Sequence, residues 1–357
     1  MIRKIQVILA AALVVCSVMM LTACSESKVV LTTGFGSNEA FQVGSERATT
    51  TELMLYLTNI ANQYEQVYGE SLWTMSVDED TTLLDNCKEV ALAWLSQVKA
   101  MKLLAKEYEV VLSEEEEAAV QSAAAEYLVT LTESEEELLG ITEGKIIEQI
   151  YSEKLLADKL YAYLIRDVNP EISDDEARII TVQHILLKTY TVDEHGNRQE
   201  MDKAEGGQIY NKAEEIRQMA IEGESFDALI SKYSEDSKGT YSFGMGDLEE
   251  SFETAAFALA TDEIAPVVKT SHGYHIIKCI STLDREQTDL NKVKLLVSRK
   301  QEVFGNTYNQ FVEQLEKREN LKVITTMELP DSSVVDTAEL FTIYDSRLGG
   351  MFETEAK

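Results

Sequence analysis

The chain has 357 residues, and its 63 Asp and Glu against 32 Lys and Arg give a formal net charge of −31 at pH 7. This acidic excess argues strongly against nucleic-acid binding, which needs a positive surface, and against a protein that lies flat on an anionic membrane. It suits a soluble, self-repelling protein with basic or unfolded polypeptides as partners, and the length allows two or three domains.

The first residues have the pattern of a lipoprotein signal peptide. Arg3 and Lys4 precede an apolar run that is short for a membrane span and ends in Leu21-Thr22-Ala23-Cys24. In such a lipobox the cysteine is lipidated and becomes the first mature residue. We therefore expect a signal peptide over residues 1–23 and a lipid anchor on Cys24 that holds the protein at the outer face of the cell membrane, as in Gram-positive lipoproteins. The alternatives are an ordinary signal peptide or a membrane-spanning helix.

A flexible tether and a helical lobe are predicted next. Residues 24–47 are rich in Ser, Thr and Gly and lack helical periodicity, which is typical of a flexible linker. Over residues 48–178, apolar side chains recur at helical spacing, and no proline occurs before Pro170. Ser113 and Thr132 each precede acidic residues, which predicts two helix starts.

Residues 179–282 change to an α+β pattern. A β-branched, apolar run from Thr181 to Leu187 predicts a strand, and three amphipathic helices follow it. Two further strands are predicted over Ile264–Lys269 and Tyr274–Ile280. Strands and helices mixed in this way indicate a compact unit of its own.

The remaining chain is predicted to return to the helical lobe. Residues 283–324 read as a long helix that could not bury its apolar stripe alone, so its partner would be the lobe and the α+β unit would be an insert. Residues 325–357 are polar and weakly patterned, and we expect them to be disordered. Cys87 and Cys279 lie in different predicted domains and do not make a disulfide framework; two buried thiols are favoured over one bridge.

The four histidines of the chain all fall between residues 183 and 278, among several short motifs. These are Gln183-His184-Ile185-Leu186, Tyr233-Ser234-Glu235-Asp236-Ser237, Phe243-Gly244-Met245-Gly246-Asp247-Leu248, Ala255-Ala256-Phe257-Ala258-Leu259 and His272-Gly273-Tyr274-His275-Ile276-Ile277-Lys278. Over residues 179–282 the chain resembles the parvulin family of peptidyl-prolyl cis/trans isomerases. With the lipobox and the helical lobe, the whole layout resembles the PrsA-type foldase lipoproteins, and the lobe weakly resembles that of SurA-like chaperones. The resemblance implies an α+β fold: an all-helical chaperone-like lobe with an inserted parvulin domain, built on a four-stranded antiparallel sheet plus helices.

The resemblance also implies which residues form the site. Catalytic positions would be His184 and His275, with Asp236 facing them and Thr270 near the second histidine. The proline pocket would be lined by a second set of residues, namely Tyr241, Phe243, Leu248 and Phe252. Leu248 stands where the family has methionine. The stretch Gly239-Thr240-Tyr241-Ser242-Phe243 replaces the family's Gly-Gly-Asp-Leu-Gly. These two departures leave the catalytic strength open.

Rotation about an X-Pro bond explains why such residues suffice. The barrier to turning a peptide bond, roughly 18–20 kcal/mol, comes from its partial double-bond character, so no bond has to break. No nucleophile, metal or cofactor is therefore expected. An apolar pocket can grip the proline ring, and polar groups beneath it can favour the twisted amide over the planar forms.

Other interpretations remain beside this one. His184 and His275 could be a structural pair, or could bind a divalent metal with Asp236. His195 is expected in a loop, and His272 is expected to shape the turn before the last strand.

The predicted function is a membrane-tethered foldase that isomerises X-Pro bonds of newly secreted polypeptides, with chaperone activity from the lobe. The alternative is a non-catalytic holdase with a weak or inactive parvulin domain. A solute-binding lipoprotein would need two α/β lobes, which the pattern does not show. A homodimer is compatible with the sequence.

Overall fold

The computed structural model describes residues 34–77, 81–141, 143–330, 335 and 339–352. The signal peptide predicted over 1–23 and the lipidation site Cys24 lie outside these residues. Contacts divide the chain into two compact units, with boundaries after Val168 and after Arg299, so that the first unit combines both ends of the chain. Within the described ranges, no helix is long and apolar enough to cross a membrane.

The described residues form twelve α-helices and one 3-10 helix, Glu70–Thr74. The α-helices are α1 (Thr50–Tyr68), α2 (Leu83–Glu107), α3 (Glu114–Thr130), α4 (Glu133–Leu139), α5 (Lys145–Ile165), α6 (Asp174–Ala177), α7 (Lys203–Ile221), α8 (Phe226–Tyr233), α9 (Glu250–Phe257), α10 (Arg285–Val312), α11 (Leu321–Thr326) and α12 (Glu339–Arg347).

Nine strands in the described residues form three antiparallel sheets, with strand orders β2-β1-β9, β6-β3-β8-β7 and β4-β5. The strands are β1 (Glu39–Val43), β2 (Glu46–Thr49), β3 (Ile180–Lys188), β4 (Tyr190–Val192), β5 (Arg198–Glu200), β6 (Thr240–Phe243), β7 (Val268–Thr270), β8 (Gly273–Ser281) and β9 (Lys317–Glu319). The α+β class and the four-stranded antiparallel sheet predicted from the sequence are confirmed.

Reciprocal caps fix where several helices begin. Ser113 and Thr132 are the N-caps of α3 and α4, as predicted, and the side chain of each accepts the N–H of the residue three positions on. The acidic residue at that position accepts the N–H of the cap in return, which satisfies two backbone donors at each helix start. Thr49, Thr82 and Asp202 start α1, α2 and α7 in the same way.

A buried ion cluster joins three helices of the first unit. Lys99 on α2 is fully buried, and its Nζ donates to Glu52 on α1 and, at 2.7 Å, to Oε2 of Glu153 on α5. Lys102, one turn further along α2, donates to the other oxygen of Glu153 at 2.9 Å. Because a buried charge without a partner is strongly destabilising, these contacts allow few alternative ways to pack the three helices.

The predicted tether is wrong over residues 39–47. These residues form all of β1 and the first half of β2, and β1 also pairs with β9, more than 270 residues further along the chain. Ala40 and Phe41 are fully buried, and Gly44 makes the turn between the strands with a φ of +53°. A two-stranded ribbon is marginal alone; the third strand stabilises it, and pairing over that distance leaves no local periodicity to read.

The predicted long helix over 283–324 ends early, and the predicted disorder over 325–357 is wrong for α12. Helix α10 stops at Val312, and β9 and α11 follow it. In α12, Leu340 and Tyr344 are fully buried. The ring of Tyr344 packs edge-on against Tyr151 at 5.5 Å, and its hydroxyl donates to Oδ2 of Asp158 at 2.6 Å. This nine-residue helix depends on tertiary contacts, since so short a helix is marginal alone.

The second unit covers residues 169–299 and is longer than the predicted insert at 179–282. The added residues at its two ends are in contact with each other or with the insert. Helix α6 and the first turns of α10 both belong to it. Ile179 donates its N–H to Oγ1 of the buried Thr288 at 3.0 Å, and Lys292 pairs with Asp174. The strand predicted over Ile264–Lys269 is shorter, since only Val268–Thr270 pair as β7.

Alternation along β3 and β8 divides the sheet of the second unit into two faces. One face carries Ile185, Leu187 and Ile276, which pack against α7 and α8. The opposite face carries Val182, His184 and Leu186 on β3, and His275 and Ile277 beside them on β8. Helix α9 contributes Phe252 and Ala256 to the core on this second face. The two histidines therefore lie on the side of the sheet that α9 covers.

A substitution at Tyr344 tests the role of α12. Tyr344→Ala removes a buried ring and a hydrogen bond, so we expect it to lower the free energy of unfolding by about 3–5 kcal/mol. Arg347→Ala on the same helix removes only an exposed ion pair with Glu126 and should lower the stability much less than Tyr344→Ala. Urea unfolding can be followed by the fluorescence of the chain's two tryptophans, which both lie in this unit. Equal stability of the two variants would mean that α12 is not packed as described.

Candidate functional site

Two imidazoles form the floor of the site. His184 on β3 and His275 on β8 are 3% and 5% exposed, so both rings are almost fully removed from solvent. Their Nδ1 atoms are 3.2 Å apart, and the ring planes are inclined by 14° with centroids 5.4 Å apart. Neighbouring antiparallel strands bring them together, since His275 lies opposite Leu186, two residues from His184 on the same face.

The outer nitrogen of each imidazole has its own partner. Nε2 of His184 lies 3.1 Å from Oδ2 of Asp236 and 3.2 Å from the carbonyl oxygen of Lys238. Nε2 of His275 lies 2.7 Å from Oγ1 of Thr270, which also accepts the N–H of His272 at 3.0 Å. The four residues predicted as catalytic, His184, Asp236, His275 and Thr270, are thus one hydrogen-bonded chain.

These partners fix where the protons lie. Both groups facing Nε2 of His184 are acceptors, so this nitrogen carries the hydrogen. In a neutral ring Nδ1 of His184 is then an acceptor, and the hydrogen between the rings belongs to Nδ1 of His275. Nε2 of His275 must in turn accept, and Thr270 donates its hydroxyl hydrogen to it. One proton order satisfies every atom in the chain, and both rings are neutral in it.

The electrostatics of the site agree with neutral rings. Burial, together with a smaller contribution from the nearby His184, lowers the pKa of His275 from its ordinary value of 6.5 to about 4. Burial also lowers the pKa of His184, against the opposing effect of Asp236. For Asp236, burial alone would raise the pKa, but hydrogen bonds from the Lys238 N–H and the Tyr241 hydroxyl, together with His184, leave it below its usual value. At neutral pH this hydrogen-bonded chain of four residues holds one carboxylate and two neutral imidazoles.

The segment after α8 places Asp236 beside the floor. Glu235 donates its N–H to the carbonyl of Leu186 at 2.8 Å, and Leu186 donates its N–H to Oγ of Ser234 at 3.2 Å. Oδ1 of Asp236 accepts the N–H of Lys238 at 3.0 Å, and Oδ2 accepts the hydroxyl of Tyr241 at 2.9 Å. The segment is therefore pinned to β3, and the carboxylate has little freedom to rotate.

A pocket of about 670 Å³ opens above this floor. Phe252 stands edge-on to both imidazoles, with centroids 5.6 Å from His184 and 5.1 Å from His275. Tyr241 stands edge-on to His184 at 5.0 Å, and Leu248, 37% exposed, completes the apolar wall. The cavity combines an apolar wall with a floor whose polar atoms are already paired, which is the usual composition of a ligand site.

Phe243 is the one predicted pocket residue that does not line the pocket. It lies two residues beyond Tyr241 on β6, about 7 Å further along the strand. Its ring is 4% exposed and packs behind Phe252 at 5.8 Å and against Phe257 at 5.8 Å. Helix α9 covers this end of the strand, so Phe243 supports the wall and does not face the cavity.

Several lining residues were missed by sequence reasoning. Leu186 and Lys188 share the face of His184 on β3, and the alternation of that strand could have identified them. The remaining missed residues come from loops and short strands without such a signal, and they are Tyr190, Glu235, Ser237, Asp247 and Glu249.

The two other histidines differ from each other. His272, predicted to shape a turn, also lies at the rim of the pocket, 3.8 Å from Glu249. His195 lies in the exposed loop between β4 and β5. In the part of the chain that the structure describes, no group of three or more His, Cys, Asp or Glu side chains is arranged to hold a metal ion.

Comparison with known proteins identifies relatives of the whole chain. Residues 184–281 match the family model described as Rotamase, a PPIC-type PPIASE domain. A protein named Foldase protein PrsA from Caldanaerobacter subterraneus subsp. tengcongensis is 30% identical over 344 residues, which cover 90% of this chain and 98% of that protein. A protein of the same name from Clostridium acetobutylicum is 24% identical over 302 residues, covering 78% of this chain and 86% of the relative. A crystal structure of PrsA from Bacillus cereus covers 74% of this chain and 91% of its own, with 21% identity and a TM-score of 0.34.

The lowered pKa values of the floor histidines predict how stability depends on pH. Between pH 6.5 and about 4, the unfolded chain binds a proton at His275 that the folded chain does not bind. The free energy of unfolding of this unit should therefore fall by about 2 kcal/mol from pH 7 to pH 4.5 through His275 alone, and by more with His184. Above pH 7 this contribution is constant.

Hydrogen exchange of the backbone amides in β3 and β8 reports the stability of the unit itself. The exchange rates are corrected for the intrinsic rate and measured as a function of urea concentration. His195→Ala removes an exposed imidazole and should leave the pH dependence unchanged. Stability that does not vary between pH 4.5 and 7 would contradict the buried neutral pair.

Proposed function

Since this chain belongs to the PrsA foldase family and is a peptidyl-prolyl cis/trans isomerase, we propose that the pocket above His184 and His275 is the place where it turns X-Pro bonds of secreted polypeptides. The observation that carries the proposal is the combination of an apolar wall with a neutral, fully hydrogen-bonded floor. The reaction needs no nucleophile, because no bond breaks when an amide rotates.

The barrier that the site has to lower is electronic. In the planar amide, nitrogen shares its lone pair with the carbonyl group, which separates charge between nitrogen and oxygen. In the twisted amide this sharing is lost, and the charge separation is smaller. A site with an apolar wall and uncharged imidazoles on its floor therefore favours the twisted amide relative to the planar forms.

The apolar wall would hold the proline ring. Leu248 and Phe252 offer a surface of the size and polarity of a pyrrolidine ring, and the ring of Tyr241 closes one side. Burial of the ring fixes the proline end of the amide, while the preceding residue and its carbonyl remain free to turn. Binding at the proline side thus supplies the free energy that orients the bond for rotation.

The chain of hydrogen bonds would keep both histidines of the floor neutral when the substrate binds. If His184 or His275 took up a proton, the single proton order of the chain would be lost, and a buried charge would favour the planar, more polar amide. Asp236 is the one charged group among the four hydrogen-bonded residues. From its position beside Tyr241, its carboxylate would interact with the altered dipole of the twisted amide. We infer that these four residues act as one preorganised unit.

The cellular setting is a second part of the proposal. The lipobox at Cys24 supports a mature protein that is lipid-anchored at the outer face of the cell membrane, where newly secreted polypeptides emerge unfolded. The net charge of −31 supports binding of basic or unfolded clients, with chaperone activity from the first unit. A homodimer stays a prediction.

A proline-limited refolding assay tests the pocket. Leu248→Ala trims a partly exposed side chain, so the fold should survive, and we expect a loss in kcat/KM of about 5-fold to 20-fold from the missing apolar contact. Leu290→Ala is the matched control, since Leu290 is an exposed leucine in the same unit and does not line the pocket. His275→Ala should lose more, with its fold checked by circular dichroism.

Two outcomes would contradict the proposal. If Leu248→Ala and Leu290→Ala catalyse equally well, the substrate does not bind in this pocket. If the wild-type chain does not accelerate refolding but still suppresses the aggregation of an unfolded client, the chain acts as a holdase alone.

A further inference from the structure

The loop between β6 and α9 carries one side of the pocket wall but has no regular backbone pairing of its own. It contains Gly244, Gly246 and Leu248, and Gly246 has a φ of +94°. Leu248 is 37% exposed, so its side chain is only partly supported by neighbours. Its position in the wall therefore depends on what holds the backbone beneath it.

Two carboxylates hold that backbone. Oδ2 of Asp247 accepts the N–H of Gly244 at 2.8 Å within the loop. Glu253, in the first turn of α9, accepts the N–H of Gly246 with both oxygens, at 2.9 and 3.0 Å. Oε1 of Glu253 also accepts the N–H of Leu248 at 2.7 Å.

The surroundings of Glu253 are unusual for a glutamate. It is 5% exposed, and no Lys, Arg or His among the described residues forms an ion pair with it. Glutamate is rarely buried unless its charge is compensated. Here the compensation comes from the N–H groups of the loop, because hydrogen bonds to a charged acceptor are about twice as strong as neutral ones.

We propose that Glu253 is a positioning residue for the isomerase: it fixes the loop from Gly244 to Leu248 and thereby sets where Leu248 stands in the pocket wall. Glu253 does not line the pocket, so it acts through Leu248 and not on the peptide. Its neighbour Phe252 does line the pocket, so one turn of α9 provides both a wall residue and the anchor for the loop that carries Leu248. The inference rests on the proposed function of the pocket.

The test compares three variants of the full-length chain in the refolding assay. Glu253→Ala removes all contacts to the loop and should raise KM about 10-fold, with kcat within about 3-fold of wild type, because the loss is in substrate binding. Glu253→Gln keeps an acceptor oxygen for Gly246 and Leu248 and should recover most of the loss. Glu250→Ala, an exposed glutamate in the same helix, should match wild type.

A double variant distinguishes an action through Leu248 from general destabilisation. If Glu253 works by placing Leu248, adding Glu253→Ala to Leu248→Ala should cost less than about 2-fold in kcat/KM, since coupled residues are not additive. A 10-fold further loss would overturn the inference. A wild-type KM in Glu253→Ala would also overturn the inference, provided that Leu248→Ala is impaired. That pair of results would leave the proposed function of the pocket intact.

Hydrogen exchange gives a second readout that needs no activity. The amides of Gly246 and Leu248 should exchange at least 10-fold faster in Glu253→Ala, and in Glu253→Gln should stay nearer wild type, while β3 stays protected in both. Unchanged exchange at these two amides would overturn the anchoring role, even if the chain showed no isomerase activity. A chain inactive in wild-type form, with exchange as predicted, would count against the pocket's function and not against the anchor.

Discussion

Two imidazole rings whose Nδ1 atoms lie 3.2 Å apart can hold one hydrogen between them, and this restriction determines the character of the site. With both rings neutral, Asp236 at one end and Thr270 at the other then leave a single arrangement of protons. Both rings are neutral in that arrangement, and burial lowers the pKa of each in the same direction. A pocket built on this floor has two uncharged rings beneath its apolar wall.

The rest of the second unit keeps this arrangement in place. Helices α7 and α8 cover one face of its sheet, while α9 shares the other face with the pocket. The segment after α8 brings Asp236 to the floor through backbone contacts with Leu186. On the opposite side, α9 supplies Phe252 and, through Glu253, holds the loop of Leu248. Floor and wall thus share supporting elements, so a change in one helix alters the shape of the whole pocket.

Local signals in the sequence predicted much of this unit. The β-branched run from Thr181 to Leu187 predicted the strand that carries His184, and the capping residues Ser113 and Thr132 predicted two helix starts correctly. The choice of Asp236 and Thr270 came from family resemblance, because no periodicity links residues in separate loops to a histidine. Phe243 was assigned to the pocket from the same resemblance, which does not show that α9 covers its ring.

Features that depend on distant parts of the chain were not predictable. Strand β1 pairs with β9 across 270 residues, and α12 is held by contacts with residues such as Tyr151. Neither has enough local pattern to indicate structure, so the first was read as a linker and the second as disorder. Glu253 was missed for a related reason: a buried glutamate looks like any surface glutamate until the loop that binds it is known.

Nitrogen-15 NMR of the imidazoles at pH 7 tests the central claim most directly. The neutral chain predicts hydrogen on Nε2 of His184 and on Nδ1 of His275, with both rings uncharged at this pH. A positively charged ring at neutral pH, or hydrogen on Nε2 of both rings, would contradict it.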